Sequence, residues 1–250
     1  MTTIDSRVAL VTGGNRGLGL ATARRLGQEG VTIVIGARDA DRARAAVTGL
    51  RAAGVWASAV PLDVDDAASA RAAADRIRRE HGRLDILVNN AGILPEATAT
   101  HTAGPLDPDL FWRTFRTNVL GAVAVTAAVL PLLVESERGR VVNVSSRMGS
   151  LRDQLDPASP YHALVVPAYQ SSKAALNGLT VALAKQLADT RVKVNSVCPG
   201  WVQTDLGGAG NRAAAPTPAE EAADVVVRAA LLDDAGPSGA FFDTDGAVPW

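Results

Sequence analysis

Tyr169 and Lys173 in "PAYQSSKAAL" stand four residues apart, about one helical turn, so both side chains would leave the same face of a helix. The chain's other tyrosine, Tyr161, has Val165 at that offset. A phenol beside an ammonium is a proton-transfer pair. Free tyrosine titrates near about 10. An ammonium roughly 4 Å away offers about 4 kcal/mol toward the phenolate at an effective dielectric of about 20. Desolvation takes part of that back. The spacing is common by chance, so the elements that position the pair must decide whether it does chemistry.

Six short β-branched runs recur along the chain: "RVALVT" (7–12), "VTIVIG" (31–36), "VWASAV" (55–60), "LDILVN" (84–89), "GRVVNVS" (139–145) and "RVKVNSV" (191–197). Their nearly continuous apolar character is that of strands buried on both faces. A seventh falls at "GAFFD" (239–243). Between them, "DADRARAAVTGLRAAG" and "DDAASARAAADRIRREHG" read as helices ending at Gly54 and Gly82. In "TPAEEAADVVVRAALLDD", Thr217 is expected as N-cap, with Pro218 in the first helical position and Glu220 closing a capping box. No repeat or linker interrupts the alternation. The expectation is an α/β chain forming a single doubly wound Rossmann-type domain over residues 1–250, a mainly seven-stranded parallel sheet with helices on both faces.

The first strand runs into "TGGNRGLG" (12–19) and then into a helical pattern. This is where backbone N–H groups at a helix N-terminus hold a dinucleotide pyrophosphate. Gly13, Gly17 and Gly19 follow G-x-x-x-G-x-G, and Leu20-Ala21 stand where a P-loop needs Lys-Ser/Thr. The second strand exits through Ala37 to Arg38, where an NAD site would have an acid for the ribose 2′-hydroxyl. Arg38 and Arg16 together can clamp a 2′-phosphate, which points to NADP (NADPH). Asp39 is the competing NAD-type acid, or a cap for the following helix.

Lys and Arg number 25, Asp and Glu 26, and no basic block stands out, which argues against nucleic acid as the partner. The single cysteine, Cys198, rules out an internal disulfide framework and fits a reducing compartment. The start "MTTIDSRVALVTGG" has no signal-peptide pattern, and the apolar run "VLGAVAVTAAVLPLLV" is 16 residues, short of a membrane span. A cytoplasmic protein with no membrane partner is expected. His81, His101 and His162 have no metal-ligand spacing among themselves or with Cys198, so no metal is expected.

These motifs, in this order, resemble the short-chain dehydrogenase/reductase family over nearly the whole chain. The resemblance assigns the cofactor turn to Gly13, Asn15, Arg16, Gly17, Leu18 and Gly19, the adenine contact to Asp63 with Val64, and the "NNAG" loop to Asn90, Ala91 and Gly92. It implies catalytic roles for Asn118 in "RTNVLG", Ser146 in "NVSS", Tyr169 and Lys173. Tyr169 and Lys173 would also touch the nicotinamide ribose. Pro199, Gly200, Val202 and Thr204 would line the nicotinamide side. "CPGWVQTDLGG" and "SGAFFDTDGAVPW" are more particularly similar to carbonyl-reductase-like members, which implies NADPH-dependent reduction of a ketone or aldehyde.

In that reading Tyr169 is the general acid, Ser146 hydrogen-bonds the substrate oxygen, and Asn118 anchors a water that passes protons to Lys173. Ser145 is expected to be structural and Cys198 a small buried residue. A non-catalytic dinucleotide sensor would not need all four residues, and Arg38 disfavours an NAD-dependent alcohol dehydrogenase acting oxidatively. An extended-type epimerase would need a second substrate domain.

Ser146 and Tyr169 are 23 positions apart, more than family members commonly have, so a segment near 147–167 looks inserted. Asp156-Pro157 and Ser159-Pro160 make it a loop or short irregular excursion ahead of the catalytic helix. Leu155, Tyr161 and His162 are candidates for the rim of a substrate pocket, with Trp201 in a substrate loop near 201–217. In carbonyl-reductase-like relatives such a segment covers the helix used elsewhere for subunit pairing, which implies a monomer or homodimer.

Overall fold

The seven apolar runs become β1 (Val8–Thr12), β2 (Thr32–Ala37), β3 (Ala57–Pro61), β4 (Ile86–Asn89), β5 (Arg140–Val144), β6 (Lys193–Val197) and β7 (Phe241–Phe242). The computed structural model describes residues 7–98 and 106–250, and pairs these strands in the order β3-β2-β1-β4-β5-β6-β7. Every pairing is parallel. The helices are α1 (Gly17–Gln28), α2 (Ala40–Ala52), α3 (Ala67–His81), α4 (Pro108–Phe115), α5 (Ala122–Glu135), α6 (Leu151–Leu155), α7 (Pro167–Gln186), α8 (Gly208–Ala214) and α9 (Ala219–Ala230).

Strand alternation sorts the core into two layers. Ala9, Val11, Ile33 and Ile35 pack with Leu26 of α1, Val47 of α2 and Val226 of α9. Val8, Leu10 and Val34 face Ile77 of α3, Val129 of α5 and Ala184 of α7. Strand order reverses between β1 and β4, and in such sheets ligands bind beyond the carboxyl ends of the strands at the reversal. The opposite edge is closed by structural polar anchors. There the buried Arg140 guanidinium donates to the carbonyls of Leu232, Gly139 and Arg191 and pairs with Asp234 at 2.9 Å.

Three local expectations change. Thr217 does not cap α9: its backbone bridges Val202, and Pro218 takes the N-cap position without a side-chain bond. Glu220 instead pairs with Arg24. The apolar 16-residue run lies in a longer unbroken helix, because the π-helical segment Arg116–Gly121 joins α4 to α5. By length and composition that helix is long enough to cross a membrane. Here its inner face, Val125, Val129, Leu132 and Leu133, is core. The inserted segment is irregular over 156–166 as expected, but it opens with a 3₁₀ turn at Arg147–Gly149 and the single turn α6. Ser150 caps α6 by accepting from Asp153 N at 3.1 Å.

Candidate active site

Ser146 follows β5 directly, and Tyr169 and Lys173 lie on the first two turns of α7. The glycine at 149 brings them together. A Cβ there would stand 2.6 Å from the Lys173 carbonyl carbon, so the turn after Ser146 packs directly on the helix. Tyr169 and Lys173 are both 6% exposed. Lys173 Nζ donates to the Val144 carbonyl oxygen at 2.7 Å and lies 5.5 Å from the Tyr169 ring centroid. Ser145 Oγ bonds the Lys173 carbonyl at 3.5 Å, a structural contact as expected.

The acidities differ from expectation. Burial, followed by the nearby Cys198 sulfur, pushes the Tyr169 phenol above its ordinary value, and the neighbouring Ser146 hydroxyl only partly opposes this. Burial also holds Lys173 down to about 8. Burial dominates, so the phenol stays protonated near neutrality.

Asn118 sits in the π-helical segment, where the regular backbone ladder is interrupted. Its side chain is spent on the loop after β4. Oδ1 accepts from Ile93 N at 2.8 Å, while Nδ2 donates to Ile93 O at 3.0 Å and to Ser172 Oγ at 3.1 Å. A Cβ at Gly92 would stand 3.3 Å from Asn118 Oδ1 and 3.8 Å from Lys173 Nζ. Gly92, Asn118 and Lys173 therefore meet at one point.

The glycine turn forms a cradle that leaves no room for a side chain at Gly19. A Cβ at Gly19 would lie 2.5 Å from Asn90 Nδ2 and 2.6 Å from Gly13 O. Gly17 has φ +51°, a left-handed conformation, and a Cβ there would come 3.2 Å from the Thr204 methyl. Helix α1 has Arg16 as its N-cap, which makes no side-chain cap bond, and its first turn has no acidic residue. Its N-terminus, which includes Leu18 and follows Asn15, thus suits an anion. Asn90 Nδ2 donates to Thr12 O at 2.8 Å, and the Thr12 hydroxyl accepts from both Asn90 N and Ala91 N at 3.0 Å. Sequence reasoning missed Thr12, whose position at the end of a strand was the available signal.

At the end of β2, Asp39 is committed to capping α2, accepting from Asp41 N at 3.1 Å and Arg42 N at 3.0 Å. Arg38 is exposed beside it. Arg16 reaches across to Asp205 at 3.3 Å, and Asp205 also holds Arg212 at 3.1 Å. Asp63 accepts from Asp65 N at 3.1 Å, and Val64 packs where a Cβ on Gly121 would come within 3.0 Å. Beyond Pro199 and Gly200, Val202 bridges Thr217, Thr204 Oγ1 accepts from Leu206 N, and Trp201 Nε1 donates to Asn211 Oδ1 at 2.7 Å.

The pocket-rim candidates separate. The Tyr161 ring lies 5.3 Å beneath the Arg147 guanidinium, next in chain to Ser146. Leu155 and His162 are exposed on the inserted segment, with His162 Nδ1 2.9 Å from Gln154 O. Neither is hydrogen-bonded to the catalytic candidates. Cys198 is buried, and its sulfur accepts from Arg147 N at 3.3 Å. Two further residues were not anticipated. Arg147 pairs with Asp153 at 2.7 Å and with Asp243 at 3.3 Å, tying the inserted segment to the site. Glu96 bonds the start of α7. His101 lies outside the described residues; among the described ones, no group of three His, Cys, Asp or Glu side chains could hold a metal ion.

Over residues 7–214 the chain matches the family model described as short chain dehydrogenase. It is 35% identical to carbonyl reductase (NADPH) 1 of Bos taurus, with 97% of this chain and 98% of that protein covered. Among solved structures, the NADPH-bound carbonyl reductase from chicken fatty liver is similar with a TM-score of 0.81 at 27% identity, covering 98% of this chain and 99% of that one. An actinorhodin polyketide ketoreductase variant with NADPH gives 0.79 at 29% identity, covering 98% and 97%. On the family match over residues 7–214 and the full-length likeness to the carbonyl reductases, the chain belongs to the short-chain dehydrogenase/reductase family.

Proposed function

We propose that this protein is an NADPH-dependent carbonyl reductase, acting on a small ketone or aldehyde as one catalytic domain spanning residues 1–250. The carrying observation is that Ser146 and Lys173 both stand beside a buried Tyr169 phenol that is held protonated, with Lys173 also next to Gly92. The residues fit the cofactor. A turn with glycine at 13, 17 and 19 and an uncapped helix start suit the pyrophosphate. Arg38 stands where an NAD site needs an acid, and Asp39 is occupied as a cap. Arg16 and Arg38 would hold the 2′-phosphate, Asp63 and Val64 the adenine, and Pro199, Gly200, Val202 and Thr204 the nicotinamide side.

Bound NADPH supplies the hydride for the carbonyl carbon. The protein then has to polarise the carbonyl oxygen and deliver one proton to it. Ser146 donates a hydrogen bond to that oxygen, and Tyr169 gives it the proton, leaving an alcohol. Lys173 would return a proton toward Tyr169 and would be the residue that holds the nicotinamide ribose. Both Nδ2 hydrogens of Asn118 are taken by Ile93 O and Ser172 Oγ, so a relay water would donate to the remaining lone pair of Oδ1. Oxidation of an alcohol would need the phenolate as base, which burial opposes. The loop 201–217, with Trp201, would close over the substrate, and the inserted segment would form the facing wall.

An NADPH-consumption screen over ketones, aldehydes and quinones, run against NADH, tests this reading. Turnover with NADPH is expected. No turnover on any carbonyl, or a preference for NADH, overturns it.

A further inference from the structure

Helix α7 begins without a cap of its own. Val166 stands at the N-cap position with no side-chain bond, and the first turn contains no acidic residue. The amides of Ala168 and Tyr169 would be orphan donors at the positive end of the helix. Both are taken by one carboxylate from a distant part of the chain: Glu96 Oε1 accepts from Ala168 N at 3.0 Å, and Oε2 from Tyr169 N at 2.8 Å. Glu96 belongs to the turn Pro95–Ala97, which follows the Asn90–Gly92 loop. Asn118 holds the near end of that stretch through both backbone groups of Ile93.

We propose that Glu96 is a positioning residue for the reduction. Its carboxylate locks the first turn of α7, and with it Tyr169, to the loop that lines the cofactor groove. The inference rests on Tyr169 being the proton donor. Two charge-assisted bonds from one rigid group fix both the height and the rotation of the helix start. A local N-cap would satisfy the same amides but would leave α7 free to shift against the loop. The attachment to a separate element is what makes Glu96 more than a cap. A displacement of about 1 Å at a reacting group costs on the order of a hundredfold in rate.

The test compares Glu96→Ala, Glu96→Gln and the double variant Glu96→Ala/Val166→Asp with the wild type. Four quantities are read: kcat, NADPH Kd by titration, Tm, and amide hydrogen exchange at Ala168 and Tyr169. Glu96→Ala should lower kcat about tenfold to a hundredfold, change NADPH Kd less than about threefold, lower Tm and speed exchange at both amides. Glu96→Gln retains one acceptor oxygen and should fall between, even if the alanine variant folds poorly. Val166→Asp in the Glu96→Ala background supplies a local cap, so it should restore Tm and amide protection but not kcat. Recovery of kcat by that cap, or unchanged exchange in Glu96→Ala, overturns the proposal. A Tyr169→Phe control with full turnover would instead sink the reaction assignment, while the exchange data still report whether Glu96 holds the turn.

Discussion

The Nζ of Lys173 lies 5.5 Å from the centroid of the Tyr169 ring and donates to the Val144 carbonyl oxygen at 2.7 Å. The pair shares one dry pocket, and dryness moves the two acidities in opposite directions. The phenol rises and stays protonated, while the ammonium falls to about 8. A protonated phenol is the form that reduction requires. A loosely held ammonium proton is the form that can replace it.

The reduction should therefore fail on the alkaline side. With Lys173 titrating near 8 in the folded chain, kcat/KM should fall tenfold per pH unit above that value. Stability moves the other way. Between about 8 and the ordinary 10.5, the unfolded chain holds a proton that the folded chain has released, so stability from this group rises with pH. Rate–pH profiles and Tm against pH check both arms; activity that stays flat to pH 10 contradicts the assignment.

Replacing Tyr169 by Phe removes the proposed proton donor and leaves the ring's packing. We expect kcat to drop by at least about a hundredfold with NADPH affinity little changed. Tyr161→Phe serves as the control and should be far milder, because Tyr161 packs on Arg147 and not on Lys173. Steady-state kinetics with separate cofactor titrations read both effects.

In the proposed reading, Arg38 carries the choice of cofactor. Arg38→Ile should weaken NADPH binding about ten- to a hundredfold, or about 1.5–3 kcal/mol, and leave NADH nearly unchanged. Adding Ala37→Asp should turn the preference toward NADH. Equilibrium titration of both cofactors decides it, and equal losses for the two would remove Arg38 from the 2′-phosphate site.

The segment 147–167 is stapled beside the proposed catalytic residues. Arg147 follows Ser146 and holds Asp153, while Gln170 follows Tyr169 and bonds Gln154 and Leu164 O. Asp153→Ala should cost about 2 kcal/mol of unfolding free energy through lost charged hydrogen bonds. It should also raise KM for bulky ketones more than for small aldehydes, if this segment is the pocket wall. Denaturant unfolding and a KM series over substrate size test the two halves.

Light scattering addresses assembly. A monomer or homodimer is expected, and a stable tetramer paired through α7 would count against an inserted segment that covers that helix.

Much of this was legible because the signals are local. Nearly continuous apolar runs, six of them β-branched, placed the seven strands within a few residues, since burial on both faces imposes an apolar composition wherever the strand lies. Glycines at 13, 17 and 19 marked a turn where backbone must approach backbone, and Gly82 marked a helix end through its left-handed conformation. The Tyr169–Lys173 spacing indicated a shared helical face.

What the residues around those signals would do was decided by tertiary contacts. Thr217 has the chemistry of a cap, yet its backbone is drawn into a bridge with Val202. Asp39 could have met a ribose or capped a helix, and the local fold commits it to the cap. The acidity of Tyr169 reversed because desolvation depends on everything packed around the phenol, whereas sequence spacing reports only Lys173. Glu96 gave no sign in the sequence, since its partners lie more than seventy positions away. Spacing along the chain determined which residues could share a face; only the folded chain decided which charges meet, because hydrogen bonds and desolvation act through space.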